Sequence, residues 1–156
     1  MSLYFRKTKS GMEVKKLPKE DYQFIYSRVP RFCVDMVVRD DKNGILLIER
    51  DINPGKGLWH FPGGTVLKGE SLLEAMKRIA KEETNLDVVN AEIIGMMDFY
   101  EESNPYFHTV SAVFEVQVAK GAISGSFQGE KLEFLTTLPD KIIPEHRDFI
   151  HGHQLL

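Results

Sequence analysis

Glu70, Arg78, Glu82 and Glu83, with Gly63 and Gly64 ahead of them, are the residues of this chain whose types and spacing could do chemistry. The segment 71–84 reads as a helix, because Ser71 and Glu74 form the S-x-x-E pattern in which two side chains close the first turn. At about 100° per residue, Leu72, Ala75 and Met76 lie within roughly 60° of Ile79 and define an apolar stripe. Glu83 falls about 40° from Ile79, inside that stripe. Glu82 falls at its edge beside Arg78, and Lys77 and Lys81 face water. An ionised carboxylate on a buried face is costly unless a cation meets it. The alternative is a helix that frays near Asn85 and lets Glu83 point into solvent, and periodicity leaves both open. Pro62-Gly63-Gly64 allows a tight turn that exposes carbonyl oxygens. Carbonyl and carboxylate oxygens together suit Mg2+, a hard cation.

The elements that must position these residues alternate irregularly. Residues 18–29 read as a short helix, with Pro18 in its first turn, Glu20 and Asp21 at its positive end and Pro30 stopping it. Residues 32–38 read as a buried strand and 45–49 as its neighbour after the turn DDKNG. Residues 51–64 form a Gly/Pro-rich loop. Strands are expected at 92–99, 109–118 and 131–135. In the second of these Val110, Ala112, Phe114, Val116 and Val118 share a face. A Gly/Ser loop is expected over 121–129 and a terminal helix over 139–151. Strands and helices without the regular alternation of a doubly wound sheet predict an α+β fold.

The chain has 156 residues, which suggests one domain spanning 1–156, with 1–16 a loose arm. Its hydrophobic content of 42% and charged content of 28% are those of a globular protein. The net charge of −3 excludes a basic nucleic-acid-binding surface as the main feature. No apolar run reaches membrane-spanning length. The start MSLYFRKTKSG lacks a hydrophobic signal core, and Cys33 is the single cysteine, so a reducing cytoplasm is the expected location. A homodimer is compatible with the sequence.

From Gly64 the pattern runs Gly, five residues, Glu70, seven residues, Arg78, then Ala80, Glu82, Glu83 and Leu86. This resembles the Nudix box, G-x5-E-x7-R-E-U-x-E-E-x-G-U, at seven of nine defined positions, and LWHFPGG resembles its usual lead-in. The resemblance implies the Nudix fold, a mixed β-sheet sandwiched between helices. It also implies Mg2+-dependent hydrolysis of a small molecule in which a nucleoside diphosphate is linked to another group. Glu82, Glu83 and the Gly63 carbonyl would hold the metal. Glu70 and Arg78 would brace the Gly63-Gly64 loop against the helix as an ion pair. Two positions depart. Asn85 stands where glycine is usual and readily adopts the same left-handed conformation. Ile79 stands where many members carry a further glutamate, which removes a carboxylate from the cluster.

One branch, the GDP-mannose mannosyl hydrolases, shares that loss. LPKEDYQFIYSRVPRFCVDMVV (17–38) and RDINPGKGLWHFPGG (50–64) look like its N-terminal and substrate-loop segments. The likeness implies that Asp35 and Arg50 contact the diphosphate or leaving group. Attack at phosphorus benefits from several cations. Attack at a sugar C1 asks only for one Mg2+ on the departing diphosphate and a general base for water. That branch carries a histidine base in the loop before the last strand. Here that loop, ISGSFQGEKLEF (123–134), has none, so Glu130 is the expected substitute, ahead of Glu101 and Glu102. His108 near a strand start reads as structural, and His146, His151 and His153 receive no role. Three activities compete: nucleotide-sugar hydrolysis, pyrophosphatase attack on phosphorus, and a binding module without turnover. Ile79 and the missing histidine favour the last. The retained Glu70, Arg78, Glu82 and Glu83 oppose it.

Overall fold

The fold is seen in a computed structural model that describes residues 17–42, 44–53, 55–119 and 131–156 with their side chains, and the backbone of 6–7, 13–14 and 129–130. Two short strands, β1 (Arg6–Lys7) and β2 (Glu13–Val14), pair antiparallel within the expected arm. Helix α1 (Lys19–Tyr26) follows Pro18, with Glu20 and Asp21 in its first turn. Then come β3 (Arg31–Val38), β4 (Ile45–Arg50), β5 (Trp59–His60) and β6 (Gly63–Thr65). Helix α2 (Leu72–Thr84) precedes β7 (Val88–Tyr100), β8 (His108–Val118), β9 (Gly129–Leu135) and α3 (Pro144–Gly152).

The strands form a four-stranded sheet ordered β6-β3-β8-β7 and a three-stranded sheet ordered β5-β4-β9. The first is mixed: β3 runs parallel to β8, and its other neighbours are antiparallel. The α+β architecture with a mixed sheet is the one expected. Alternation along β3 explains how the layers form. Val34, Met36 and Val38 face a core shared with Ala75, Met76, Ile79 and Ala80 of α2. Val37 faces a second core with Trp59, Phe61, Val113 and the α3 residues Phe149 and Ile150. A helix therefore covers each face, and Leu46 and Leu47 of β4 send one side chain into each core.

Five expectations change. Residues 45–49 do not pair along 32–38. β3 already has β6 on one edge and β8 on the other, so β4 passes into the second sheet, and among the described residues an isolated bridge from Arg39 to Ile45 lies just beyond the two runs' shared turn. The loop 51–64 contains β5 and β6, too short to show a period in sequence. The strand expected at 92–99 extends over Val88–Tyr100, with register shifts near Val88 and Ile93 that break the alternation on which such an assignment rests. The terminal helix starts at Pro144, since residues 141–143 run beside Trp59 as extended chain. The single apolar face expected for 109–118 is also incomplete. Ala112, Phe114 and Val116 are buried as predicted, but so are Ser111 and Val113 on the other face, because β8 is an inner strand covered on both sides.

Candidate active site

The α2 start is built as the residue types require. Ser71 Oγ accepts the Glu74 amide and Glu74 accepts the Ser71 amide, and Asn85 ends the helix at φ 59°, the left-handed cap. The helix does not fray before Glu83. That carboxylate is buried at 7% exposure, on the same side of the helix as Ile79 and Ala75. Glu82, one residue earlier, is exposed and accepts from Arg78 at 3.0 Å.

Arg78 joins three pieces of backbone. Its Nε and one terminal nitrogen donate to the two Glu70 oxygens at 2.7 and 2.9 Å, and that same nitrogen donates to the Thr65 carbonyl at 2.9 Å. Glu70 in turn accepts the Leu67 amide at 3.0 Å. The Arg78 and Glu70 side chains are only 10% and 9% exposed. Burial works against the Arg78 charge, but the hydrogen bonds and charge of Glu70, aided by Glu82, outweigh it and hold the guanidinium above its ordinary range. A two-pronged guanidinium–carboxylate contact thus ties the loop after β6 to the middle of α2.

Contact requires glycine at 63 and leaves little room at 64. Gly63 lies opposite Asp35 and Gly64 opposite Val34 in the β3–β6 ladder. A Cβ on Gly63 would overlap the Asp35 carboxylate, and one on Gly64 would press on Ile79 Cδ1 at 3.3 Å. Ile79 is 2% exposed, so a side chain that could have been a carboxylate instead seats the helix against the glycine turn.

Asp35 lies in the middle of β3, buried, with the Ser111 hydroxyl donating to its Oδ2. Burial pushes its carboxyl up to about 7, against the Ser111 hydrogen bond and the Arg31 charge. Arg31 and Asp35 share a strand face at period two. The Arg31 guanidinium donates to Tyr22 Oη at 2.9 Å and Thr109 Oγ1 at 3.1 Å. Arg50 ends β4, half-buried. Burial and the Arg31 charge lower it, and the Glu83 charge raises it, so the Glu83 field reaches this cation. The candidate residues Asp35 and Gly63 are therefore in contact, and Arg50 and Glu83 are electrically coupled.

Other expected participants lie elsewhere. His108 Nε2 is 3.2 Å from Asp98 Oδ1 and its ring meets Tyr100 edge-on, the structural role expected of it. Glu101 and Glu102 are exposed in the turn between β7 and β8, and Glu101 accepts from Ser103. The Glu130 side chain lies outside the described residues, although its neighbour Gly129 is paired with Arg50. A surface cavity of about 610 Å3, lined by Arg39, Leu86, Asn90, Glu115, Val118 and Phe134 among others, contains none of the candidate residues.

Two further histidines, His60 and His146, are buried near Arg50. His60 is 7% exposed and His146 3%. Burial and the Arg50 charge push His60 down to about 4, although its hydrogen bond to Phe61 opposes this. Burial, then His60 and Arg50, lower His146 well below its usual value. Period two along RFCVD sets Arg31 on the strand face of Asp35, whereas the place of His60 near Arg50 depends on the pairing of β5 with β4. No local pattern marks His146. A pH dependence follows. His60 stays neutral in the folded chain down to about 4, whereas an unfolded histidine takes its proton near 6.5. The unfolded state binds more protons between these limits, so stability falls as pH drops through them, by about 3 kcal/mol for this group. Asp35, raised from 3.8 to about 7, works in the opposite sense across the same range and by a comparable amount, while His146, lowered like His60, adds to the loss. In urea unfolding at pH 7 and pH 4.5, His60→Phe is expected to lose clearly less stability than the wild type. Equal losses would contradict the assignment.

The same arrangement has relatives. The NUDIX domain pattern matches residues 29–151. The chain belongs to the Nudix hydrolase family. It is 34% identical over 151 residues to the ADP-ribose pyrophosphatase of Methanocaldococcus jannaschii, covering 96% of this chain and 86% of that one. It is 36% identical over 106 residues to the low-salt glycan biosynthesis protein Agl8 of Haloferax volcanii, covering 65% and 67%. The crystal structure of a MutT NUDIX hydrolase from Burkholderia pseudomallei matches the fold with a TM-score of 0.72 at 24% identity, over 79% of this chain and 97% of that one. Among the described residues of this Nudix chain, no three Asp, Glu, His or Cys side chains converge on one point. No described helix is long and apolar enough to cross a membrane.

Proposed function

We propose that this Nudix hydrolase uses Mg2+ to cleave a nucleoside diphosphate from a sugar, with GDP-mannose as the first substrate to try and attack at the sugar C1. The observation that carries the reading is Glu83: a carboxylate buried on an apolar helix face, after a glycine turn, within the field of Arg50. The donor set fits the ion. Mg2+ commonly takes one or two carboxylates and completes its shell with water and substrate phosphate oxygens, so it needs no cage of three acidic side chains. Glu83, Glu82 and the Gly63 carbonyl would hold it, and when bound it would neutralise the departing diphosphate.

The chain's own residues do the rest. Arg50 and Asp35 meet the diphosphate end, Glu70 and Arg78 keep the Gly63-Gly64 turn in place, and Gly64 lets Ile79 close against it. Ile79 supports the carbon-directed reading, since it leaves fewer carboxylates for several metals. Glu130 is the proposed base, supported by the pairing of Gly129 with Arg50. The proposed protein is a single domain over 1–156, placed in the cytoplasm.

A second reading is favoured by a relative that aligns along nearly the whole chain, the ADP-ribose pyrophosphatase: attack on phosphorus. Hydrolysis in oxygen-18 water separates the two. Label in the released free sugar is expected. Label in the nucleotide or the sugar phosphate means that phosphorus is attacked and the carbon-directed reading is wrong.

A further inference from the structure

Phe61 is where the chain leaves one sheet for the other. Before it, β5 runs beside residues 141–143: Trp59 donates its amide to Lys141 O at 2.9 Å, and Ile143 donates to Trp59 O at 3.0 Å. After it, Pro62 O accepts the Met36 amide at 2.9 Å, and Gly63 enters the ladder with β3. Between the two ladders the Phe61 backbone needs partners, because a buried amide or carbonyl left unpaired is costly.

Two imidazoles supply them. The chain at 141–143 turns into α3 at Pro144, so no backbone carbonyl continues the ladder. His146 in the first turn of α3 takes over, and its Nδ1 accepts the Phe61 amide at 3.2 Å. His60 Nδ1 donates to Phe61 O at 2.6 Å. These contacts set the tautomers: His146 carries its proton on Nε2 and His60 on Nδ1. The His146 ring is wedged between Phe61 and Phe99, with centroids at 5.0 and 5.2 Å, and it is almost fully buried. Phe61 itself is completely buried. The Phe61 amide is thus held by a side-chain acceptor from the far end of the chain, one residue before the Pro62 carbonyl joins β3.

We infer that His146 is a positioning residue that sets the Gly63 carbonyl for the metal by holding the Phe61 amide. This rests on the reading of Gly63 and Glu83 as metal donors. Asn and Gln at position 146 separate the hydrogen bond from mere filling of space. The Asn oxygen lies where Nδ1 does and can still accept, whereas the Gln oxygen reaches toward Nε2 and leaves the Phe61 amide without its acceptor.

The probe is Mn2+ alone, titrated into the full chain and followed by the electron paramagnetic resonance signal of the free ion. Amide exchange at Phe61 is measured on the same proteins. His146→Asn is expected to keep wild-type Mn2+ affinity within a few-fold, with a protected Phe61 amide. His146→Gln is expected to lose that protection and about 10-fold or more in affinity, the usual cost of losing a group that orients a metal donor. A His146→Gln protein that binds Mn2+ like the wild type overturns the inference, as does a folded His146→Asn that is as weak as His146→Gln. If His146→Gln does not fold, a tenfold loss in folded His146→Asn is the overturning result. A wild type that binds no Mn2+ instead refutes the metal-site reading, and Phe61 protection retained in His146→Gln then refutes the clamp as well.

Discussion

Glu83→Gln is expected to abolish divalent-cation-dependent hydrolysis while leaving the fold intact. The substitution keeps the shape and removes the charge. Glu83 is buried on the α2 face that meets the glycine turn, and the charged partner that senses it, Arg50, comes from the end of β4. A buried carboxylate in that position attracts a cation strongly, because little water screens it. Losing a group that merely orients a metal donor costs about 10–100-fold in affinity or activity, so losing the donor itself should cost more than that. Folding should change little, since a neutral amide is easier to bury than an ion. Activity measured against Mg2+ concentration, beside a thermal melt, decides it. Near-normal turnover at ordinary Mg2+ would remove Glu83 from the site, and collapse of the melt would make it a structural ion instead.

Arg78→Met should be the most destabilising single change at this site. It leaves Glu70 with its charge, nine-tenths buried, and takes away the two Arg78 donors at 2.7 and 2.9 Å. It also releases the Thr65 carbonyl at the end of β6 and frees Glu82 from its partner. Breaking a buried pair in this way costs about 3–5 kcal/mol, a large part of the roughly 5–15 kcal/mol by which a domain is stable. The exposed pair between Lys81 and Asp87 is the internal control, as exposed pairs contribute about 0–1 kcal/mol. Urea midpoints for Arg78→Met and Lys81→Met give the comparison. Similar losses in the two variants would mean that the Glu70 contact braces nothing. The double change Glu70→Gln with Arg78→Met should recover part of the loss, because it removes a buried charge that no longer faces the guanidinium.

Local chemistry made much of the site legible. The S-x-x-E cap, the apolar stripe and the position of Glu83 on it all follow from one period of 3.6 residues, and α2 begins and ends where those signals put it. The eight-residue spacing of Glu70 and Arg78 and the paired glycines likewise lie within one continuous segment. The strands with many β-branched residues, β3 and β8, were also readable.

Contacts between distant segments were decided only by the tertiary structure. Asp35 and Gly63 meet because β3 and β6 pair across an interval whose length says nothing about register. The β3–β4 turn read as a hairpin from DDKNG, yet both edges of β3 were taken by strands from later in the chain. Ser111 reaches Asp35 only through the parallel pairing of β3 with β8. His146 shows why such features escape a sequence reading. Its neighbours Glu145 and Arg147 are those of a polar terminal helix, and its value comes from 85 residues upstream, where Phe61 has an amide that no strand remains to accept. Hydrophobic period and capping act over a few residues and leave a mark there. A hydrogen bond across the fold leaves no local mark, because burial and direction, which give it strength, exist only once the sheets and α3 are packed.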